Sequence, residues 1–213
     1  MQNESKRAEE IFKALQKRYP DAHCALHYNS PLELLIATIL SAQATDVGVN
    51  KATPDLFKSF PTVEDFANSS PEEIEPLIAS IGLFRGKAKS IYESTCMIVN
   101  DFDGKVPDTM KDLIKLRGVA RKTANVVLGN AFNKNEGVVV DTHVGRLAQR
   151  FALSTETKPN KIEKDLMALF PQKQWTMLSH LLVWHGRKVC KKRGGSCKDD
   201  SICKRYCSNA MAS

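Results

Sequence analysis

Three sets of side chains in this sequence could carry chemistry. The first is Lys122, which closes the run Leu116-Arg117-Gly118-Val119-Ala120-Arg121-Lys122 just as a helical pattern begins. A lysine amine can attack an electrophilic carbon and hold it as a Schiff base. The second is Asp141, within Val140-Asp141-Thr142-His143-Val144. Its carboxylate could stabilise a developing cation and relay protons, or it could simply cap the helix that follows. The third is a crowd of thiols, Cys190, Cys197, Cys203 and Cys207, with six, five and three residues between successive members. Interleaved with Lys191, Lys192, Arg193, Lys198, Lys204 and Arg205, they read as a metal or cluster loop with a basic face. A lysine at a helix start is usually just solvated, so the elements that hold these residues decide what they can do.

Those elements read as helices almost throughout. Apolar residues recur at spacings of three and four, and helices are expected near 5–18, 31–43, 47–58, 71–80, 87–101, 108–116, 121–132, 142–151, 160–169 and 173–186. Ser30-Pro31-Leu32-Glu33 and Ser70-Pro71-Glu72-Glu73 each combine an N-cap, a proline at the first helical position and a capping-box glutamate; Thr62 with Asp65 is a weaker version. The helix opening at Pro31 carries Leu34, Leu35, Ile36, Ile39 and Leu40 almost all round, as a central buried helix would. Only Gly137-Val138-Val139-Val140 has strand character, and it is too short to build a sheet, so the fold class is all-α. Asn133-Lys134-Asn135-Glu136-Gly137 is a polar, turn-like interruption between two helical halves.

The turn at Gly118 joins two helical patterns and leaves the first N–H groups of the second helix available to a phosphate, with Arg117 and Arg121 beside them. This would grip a nucleic-acid backbone without reading its sequence; an ordinary helix corner ended by glycine is the plainer reading. Lys plus Arg outnumber Asp plus Glu by 31 to 24, a formal charge of +7, which favours a polyanionic partner. With 213 residues, 42% of them hydrophobic, the chain can bury a core sized for one or two domains. Residues 1–10 contain no apolar signal region and the run Leu34 to Leu40 is too short to span a bilayer, so a cytoplasmic protein without membrane segments is expected. In that reducing compartment the six cysteines should not pair, and Cys24 and Cys96 are expected to be buried small hydrophobes.

Leu116, Gly118, Val119, Arg121, Lys122, Thr123 and Ala124 fall on the helix-hairpin-helix of the endonuclease III family, which reads Leu-Pro-Gly-Val-Gly-Arg-Lys-Thr-Ala. Leu40-Ser41-Ala42-Gln43-Ala44-Thr45-Asp46 is similar to that family's glutamine loop, and Val140 to Val144 to its aspartate motif. The resemblance runs from about Tyr28 to Cys203. It implies a base-excision DNA glycosylase with AP lyase activity, acting on oxidised pyrimidines and abasic sites in double-stranded DNA. Lys122 would be the nucleophile at C1′, leading to β-elimination of the 3′ phosphate, and Asp141 would stabilise the sugar cation. Gln43 would fill the gap left by a flipped nucleotide, and Arg117, Gly118, Val119, Ala120 and Arg121 would contact DNA. The resemblance also implies a monomer, associated with the nucleoid, of two helical domains: a six-helix barrel domain over 23–136 with the hairpin, and 1–22 plus 137–213 with Asp141 and the cysteines. The active site would lie in the interdomain cleft. A monofunctional adenine or mismatch glycosylase is the nearest rival, disfavoured by Lys122 and by a chain too short for the adenine enzyme's extra domain; a non-catalytic hairpin module would have no use for Lys122 and Asp141 together.

Three departures stand out against the family pattern. Arg117 replaces the hairpin proline, where its charge could compensate, and Ala120 replaces the second glycine. If that second position needs positive φ, alanine would cost roughly 1 kcal/mol and distort the turn. The family also holds a 4Fe-4S cluster with six, two and five residues between successive cysteines. In one register Asp200 takes the third ligand's place, and in the other Gly194 sits where the second should be. Cys207 could restore a four-thiolate cluster with Cys190, Cys197 and Cys203; a Cys₄ zinc site and a loop without metal are the alternatives.

Overall fold

The computed structural model describes residues 2–193 and 196–207, so Gly194 lies outside the described residues. Its helices are α1 (Gln2–Arg18), α2 (Pro31–Ser41), α3 (Asp46–Ser59), α4 (Val63–Asn68), α5 (Pro71–Ile74), α6 (Phe84–Asp101), α7 (Met110–Leu113), α8 (Arg121–Ala131), α9 (Thr142–Arg150), α10 (Pro159–Leu169), α11 (Trp175–Lys188) and α12 (Ser201–Tyr206). Among the described residues there is no strand, and no helix is long and apolar enough to cross a membrane. The chain divides into two compact units, one of residues up to His23 together with those from Asn135 onward, the other Cys24–Lys134.

The Cys24–Lys134 unit is built around α2. Residues Leu34 to Leu40 are all buried, and the helix packs on α3, α6 and α8. Each such Leu or Ile withdrawn from water contributes about 1.5–3 kcal/mol. The cap at Ser30 forms as its sequence implies, with Oγ accepting from the Glu33 amide at 3.2 Å. The Glu33 carboxylate, however, accepts from the Asn29 amide at 2.6 Å, one residue before the cap. Thr62 and Asp65, the weaker-looking pair, make a complete reciprocal capping box on α4. The helix expected over 71–80 runs as α5 and then as a 3-10 turn, Glu75–Ile78, because Pro76 brings no N–H to continue the α pattern. The one expected over 108–116 shrinks to α7, followed by i→i+3 bonds from Lys115 and Leu116. At the end of α8, Asn133 takes φ +55 and the Lys134 amide reaches back to Leu128 O at 2.9 Å, which closes the helix in the polar turn.

In the other unit α1 sets Ala8, Ile11, Phe12 and Leu15 on one stripe, all buried in a core shared with α9, α10 and α11. Val138 and Val140 are buried there too, yet they pair with no strand: the Val139 amide donates to Ser179 Oγ of α11 at 2.9 Å. The strand-like composition therefore reflects burial, not a ladder. Sequence periodicity missed α12, a short helix opened by Asp200, whose Oδ1 accepts from the Ile202 and Cys203 amides at 2.9 and 3.0 Å.

Candidate active site and cysteine loop

The hairpin is shaped by a backbone that only glycine tolerates at one point. Gly118 has φ +79, and a Cβ there would stand 3.1 Å from Ser90 Cβ. Ser94 Oγ fixes the turn from α6 by donating to Arg117 O at 2.9 Å. Two positions later the expectation of strain is overturned. Ala120 has φ −91 and ψ 171, ordinary extended backbone that alanine adopts at no cost, so its replacement of glycine does not distort the turn. Ala120 is the N-cap of α8 and offers no side-chain acceptor to the first amides of the helix. Arg117 is not a detached charge, since its guanidinium pairs with Glu93 at 3.0 Å. Both partners are well exposed, so the pair contributes at most about 1 kcal/mol. Lys122 stands exposed in the first turn of α8, beside the exposed Arg121.

Asp141 opens α9. Its Oδ1 accepts from the His143 and Val144 amides, both at 2.8 Å, so capping occupies only one carboxylate oxygen. Both readings of this residue are therefore compatible in one side chain. His143 serves structure through an Nδ1 contact of 3.2 Å with Arg146. Arg146 ties this helix down, donating to Gly186 O at 3.0 Å and to Cys190 O at 3.1 Å.

Gln43 follows α2 on exposed, left-handed backbone, φ +55. Two residues at the start of α6 escaped sequence reasoning. Leu83, at the start of α6, is 67% exposed and also left-handed, φ +61. Its only sequence signal is an apolar residue beside Gly82 in a connector. Lys87 is buried on α6 and donates from Nζ to Leu40 O at 2.8 Å, cross-linking the last turn of α2 to the first turn of α6. Burial pushes its pKa down. This bond anchors the end of α2 that precedes Gln43 to the start of α6 that follows Leu83.

The cysteine loop is gathered at the end of α11. The sulfurs of Cys190, Cys197 and Cys203 lie within 4.8 Å of one another, and His185, Asp200 and Cys203 form a second such group. Cys207 is buried but belongs to neither group. Hydrogen bonding from Cys203, helped by Arg150 and Cys197, holds the Cys190 thiol down at about 5 against the opposing effect of burial. Arg150 Nη1 is 3.1 Å from that sulfur. The Cys203 thiol is pushed up by the same bond and by burial. Cys24 and Cys96 are only half-buried, less than expected; Cys96 lies in the helix α6, its sulfur 3.7 Å from Ala67 O.

Residues 36–172 match the HhH-GPD superfamily of base excision DNA repair proteins. Endonuclease III of Synechocystis sp. is 49% identical over 100% of this chain and 97% of its own length. The chain belongs to the endonuclease III family. Endonuclease III of Escherichia coli is 37% identical over 94% of the chain and 96% of its own length. A solved non-covalent endonuclease III–DNA complex superposes with a TM-score of 0.92 at 37% identity, covering 98% of this chain and 97% of that one. As a member of the endonuclease III family the chain is a base-excision DNA repair enzyme, a DNA glycosylase with AP lyase activity.

Proposed function

We propose that the chain removes oxidised pyrimidines from double-stranded DNA and then nicks the strand, with Lys122 as nucleophile and Asp141 as the carboxylate that serves it. The observation that carries this reading is the start of α8: an uncapped helix terminus behind a glycine turn, with an exposed lysine in its first turn. The uncapped amides, with Arg117 and Arg121, take a backbone phosphate, and Gly118, Val119 and Ala120 let that phosphate approach the turn. The Lys122 amine forms a bond to C1′ as the C1′–N bond to the base breaks and the departing base gains a proton. Asp141 Oδ2 stabilises the positive charge that grows on the sugar and relays that proton. Ring opening gives a protonated Schiff base, which acidifies C2′–H. Loss of that proton expels the 3′ phosphate by breaking the C3′–O bond, and water then releases the lysine. Gln43 and Leu83, presented on left-handed backbone, enter the space left in the stack by the flipped nucleotide, one as hydrogen-bonding group and one as apolar wedge.

The 4Fe-4S form of the cysteine loop needs a fourth thiolate, for which Cys207 is the available residue; no step of the chemistry runs through the loop. A cytoplasmic location accords with DNA as substrate. The test is borohydride trapping on duplex DNA containing thymine glycol. Wild type should form a covalent adduct and Lys122→Gln none. Base release without an adduct would point to the monofunctional reading, and an adduct with Lys122→Gln to another nucleophile.

A further inference from the structure

Lys87 is a buried cation that the chemistry leaves unused, and its two nitrogens serve different elements. Its backbone amide donates to Leu83 O at 3.1 Å, and its Nζ donates to Leu40 O at 2.8 Å. Leu40 O needs such a partner. Had α2 continued, the Ala44 amide would have bonded it, but that amide turns to Ser41 O at 3.1 Å. The turn that diverts it contains Gln43 on left-handed backbone, φ +55. A cation at the end of α2 also meets the negative pole of that helix. Lys87 therefore holds both the carbonyl of Leu83 and a carbonyl just ahead of Gln43.

Leu83, Lys87, Ser90 and Ser94 recur at the three- and four-residue spacing that sets side chains on one face of a helix. The same face of α6 carries the hairpin. Ser94 Oγ donates to Arg117 O at 2.9 Å, and a Cβ on Gly118 would meet Ser90 Cβ at 3.1 Å and Ile39 Cγ2 of α2 at 3.6 Å. The Gln43 loop, Leu83 and the turn at Gly118 are thus mounted on one joint between α2 and α6, and Lys87 supplies a polar bond across it. At 6% exposure a lysine is a costly way to fill such a joint, since methionine would occupy similar space without desolvating a charge. What the lysine adds is a directed bond on Leu40 O.

We propose that Lys87 is a positioning residue for nucleotide extrusion: by clamping Leu40 O to the start of α6 it fixes Gln43 and Leu83 relative to each other, so that both enter the vacated stack together. Lys87 touches no reacting atom. The assignment rests on the reading of Gln43 and Leu83 as the residues that fill the gap.

The test uses the full chain and duplex DNA carrying a tetrahydrofuran abasic analogue beside 2-aminopurine, whose fluorescence rises when an inserted side chain disturbs its stacking. Lys87→Met should lower both that rise and the single-turnover rate of base release from thymine-glycol duplex by about tenfold or more, while affinity for the duplex is kept. Lys87→Arg, which retains a donor for Leu40 O, should recover most of both signals, and it decides the matter should the methionine variant not fold. In a chain already carrying Gln43→Ala and Leu83→Ala, adding Lys87→Met should change neither signal further, because it acts through those residues. Signals kept in Lys87→Met, lost in Lys87→Arg, or lowered again by Lys87→Met in that double background would each overturn the assignment. If Gln43→Ala with Leu83→Ala leaves the fluorescence rise intact, the insertion reading falls and takes this one with it. Loss of the rise in that pair but not in Lys87→Met leaves insertion standing and removes Lys87 alone.

Discussion

The starts of α8 and α9 face the same difficulty, the unpaired amides of a first helical turn, and resolve it in opposite ways. At α9 the Asp141 carboxylate accepts from the His143 and Val144 amides at 2.8 Å each. At α8 the cap is Ala120, which brings no acceptor, behind a glycine whose φ of +79 admits no side chain. The contrast separates two uses of one element. An open start can receive an anion from outside, whereas a closed start holds a carboxylate by one oxygen and leaves the other uninvolved in the cap. Lys122 belongs to the first kind of terminus and Asp141 to the second, so substitutions at each should fail differently.

The largest expected effect is at Lys122. Lys122→Gln should lower strand scission by about 10³-fold or more, about 4 kcal/mol in barrier, with binding to abasic DNA nearly unchanged. Single-turnover kinetics beside a binding titration check this, and a parallel loss of affinity would make Lys122 one more phosphate contact. Asp141→Asn should slow base release by roughly 10²-fold, about 3 kcal/mol, while the melting temperature hardly moves, because asparagine caps as well as aspartate. Asp141→Ala should add about 1 kcal/mol of instability to the same rate loss. A mutant that loses stability but keeps its rate would reduce Asp141 to a cap.

Gly118→Ala tests the backbone side of the contrast. Left-handed φ and the 3.1 Å approach to Ser90 should together cost about 2 kcal/mol in urea unfolding. An unchanged midpoint would show that the turn can be remade around a side chain. The smallest effect, and the sharpest, is Ala120→Asp, which closes α8 in the manner of α9. It should stabilise the fold by about 1 kcal/mol yet weaken DNA binding and reduce the salt slope by about one phosphate. Stronger DNA binding in this variant would mean that the terminus does not face phosphate.

Much of the helical fold could be read from local rules. The caps at Ser30 and Ser70 and the unbroken burial of α2 follow from side chains acting on their own helix. Other features depend on distant neighbours and left no periodic trace. Val138 and Val140 read as strand because they are buried, although the amide of Val139 between them donates to the Ser179 side chain and to no strand. Ala120 looked strained by comparison with a glycine, and only the actual φ of −91 removes the difficulty. Leu83 and Lys87 gave too weak a signal because a single apolar residue in a connector, or one lysine in a helix, is common; exposure in one case and burial in the other give them meaning. In the tail the spacing announced a thiolate centre, but which sulfurs converge, and that His185 joins Cys203, depends on how α11 meets α12.

Arg146 also ties together parts of the chain that lie far apart in sequence. Its guanidinium closes contacts across 44 and 40 residues of chain, to Cys190 O and Gly186 O. Closing a loop of that length costs on the order of 3 kcal/mol in chain entropy, which is offset only once α9 and α11 have docked. The order of the loop's first residue thus depends on the docking of the helix that carries Asp141. Arg150 of the same helix adds bonds to Cys190 Sγ at 3.1 Å and to Lys191 O at 3.0 Å, so the first residues of the loop are tied to α9 at several points and open only when that helix undocks.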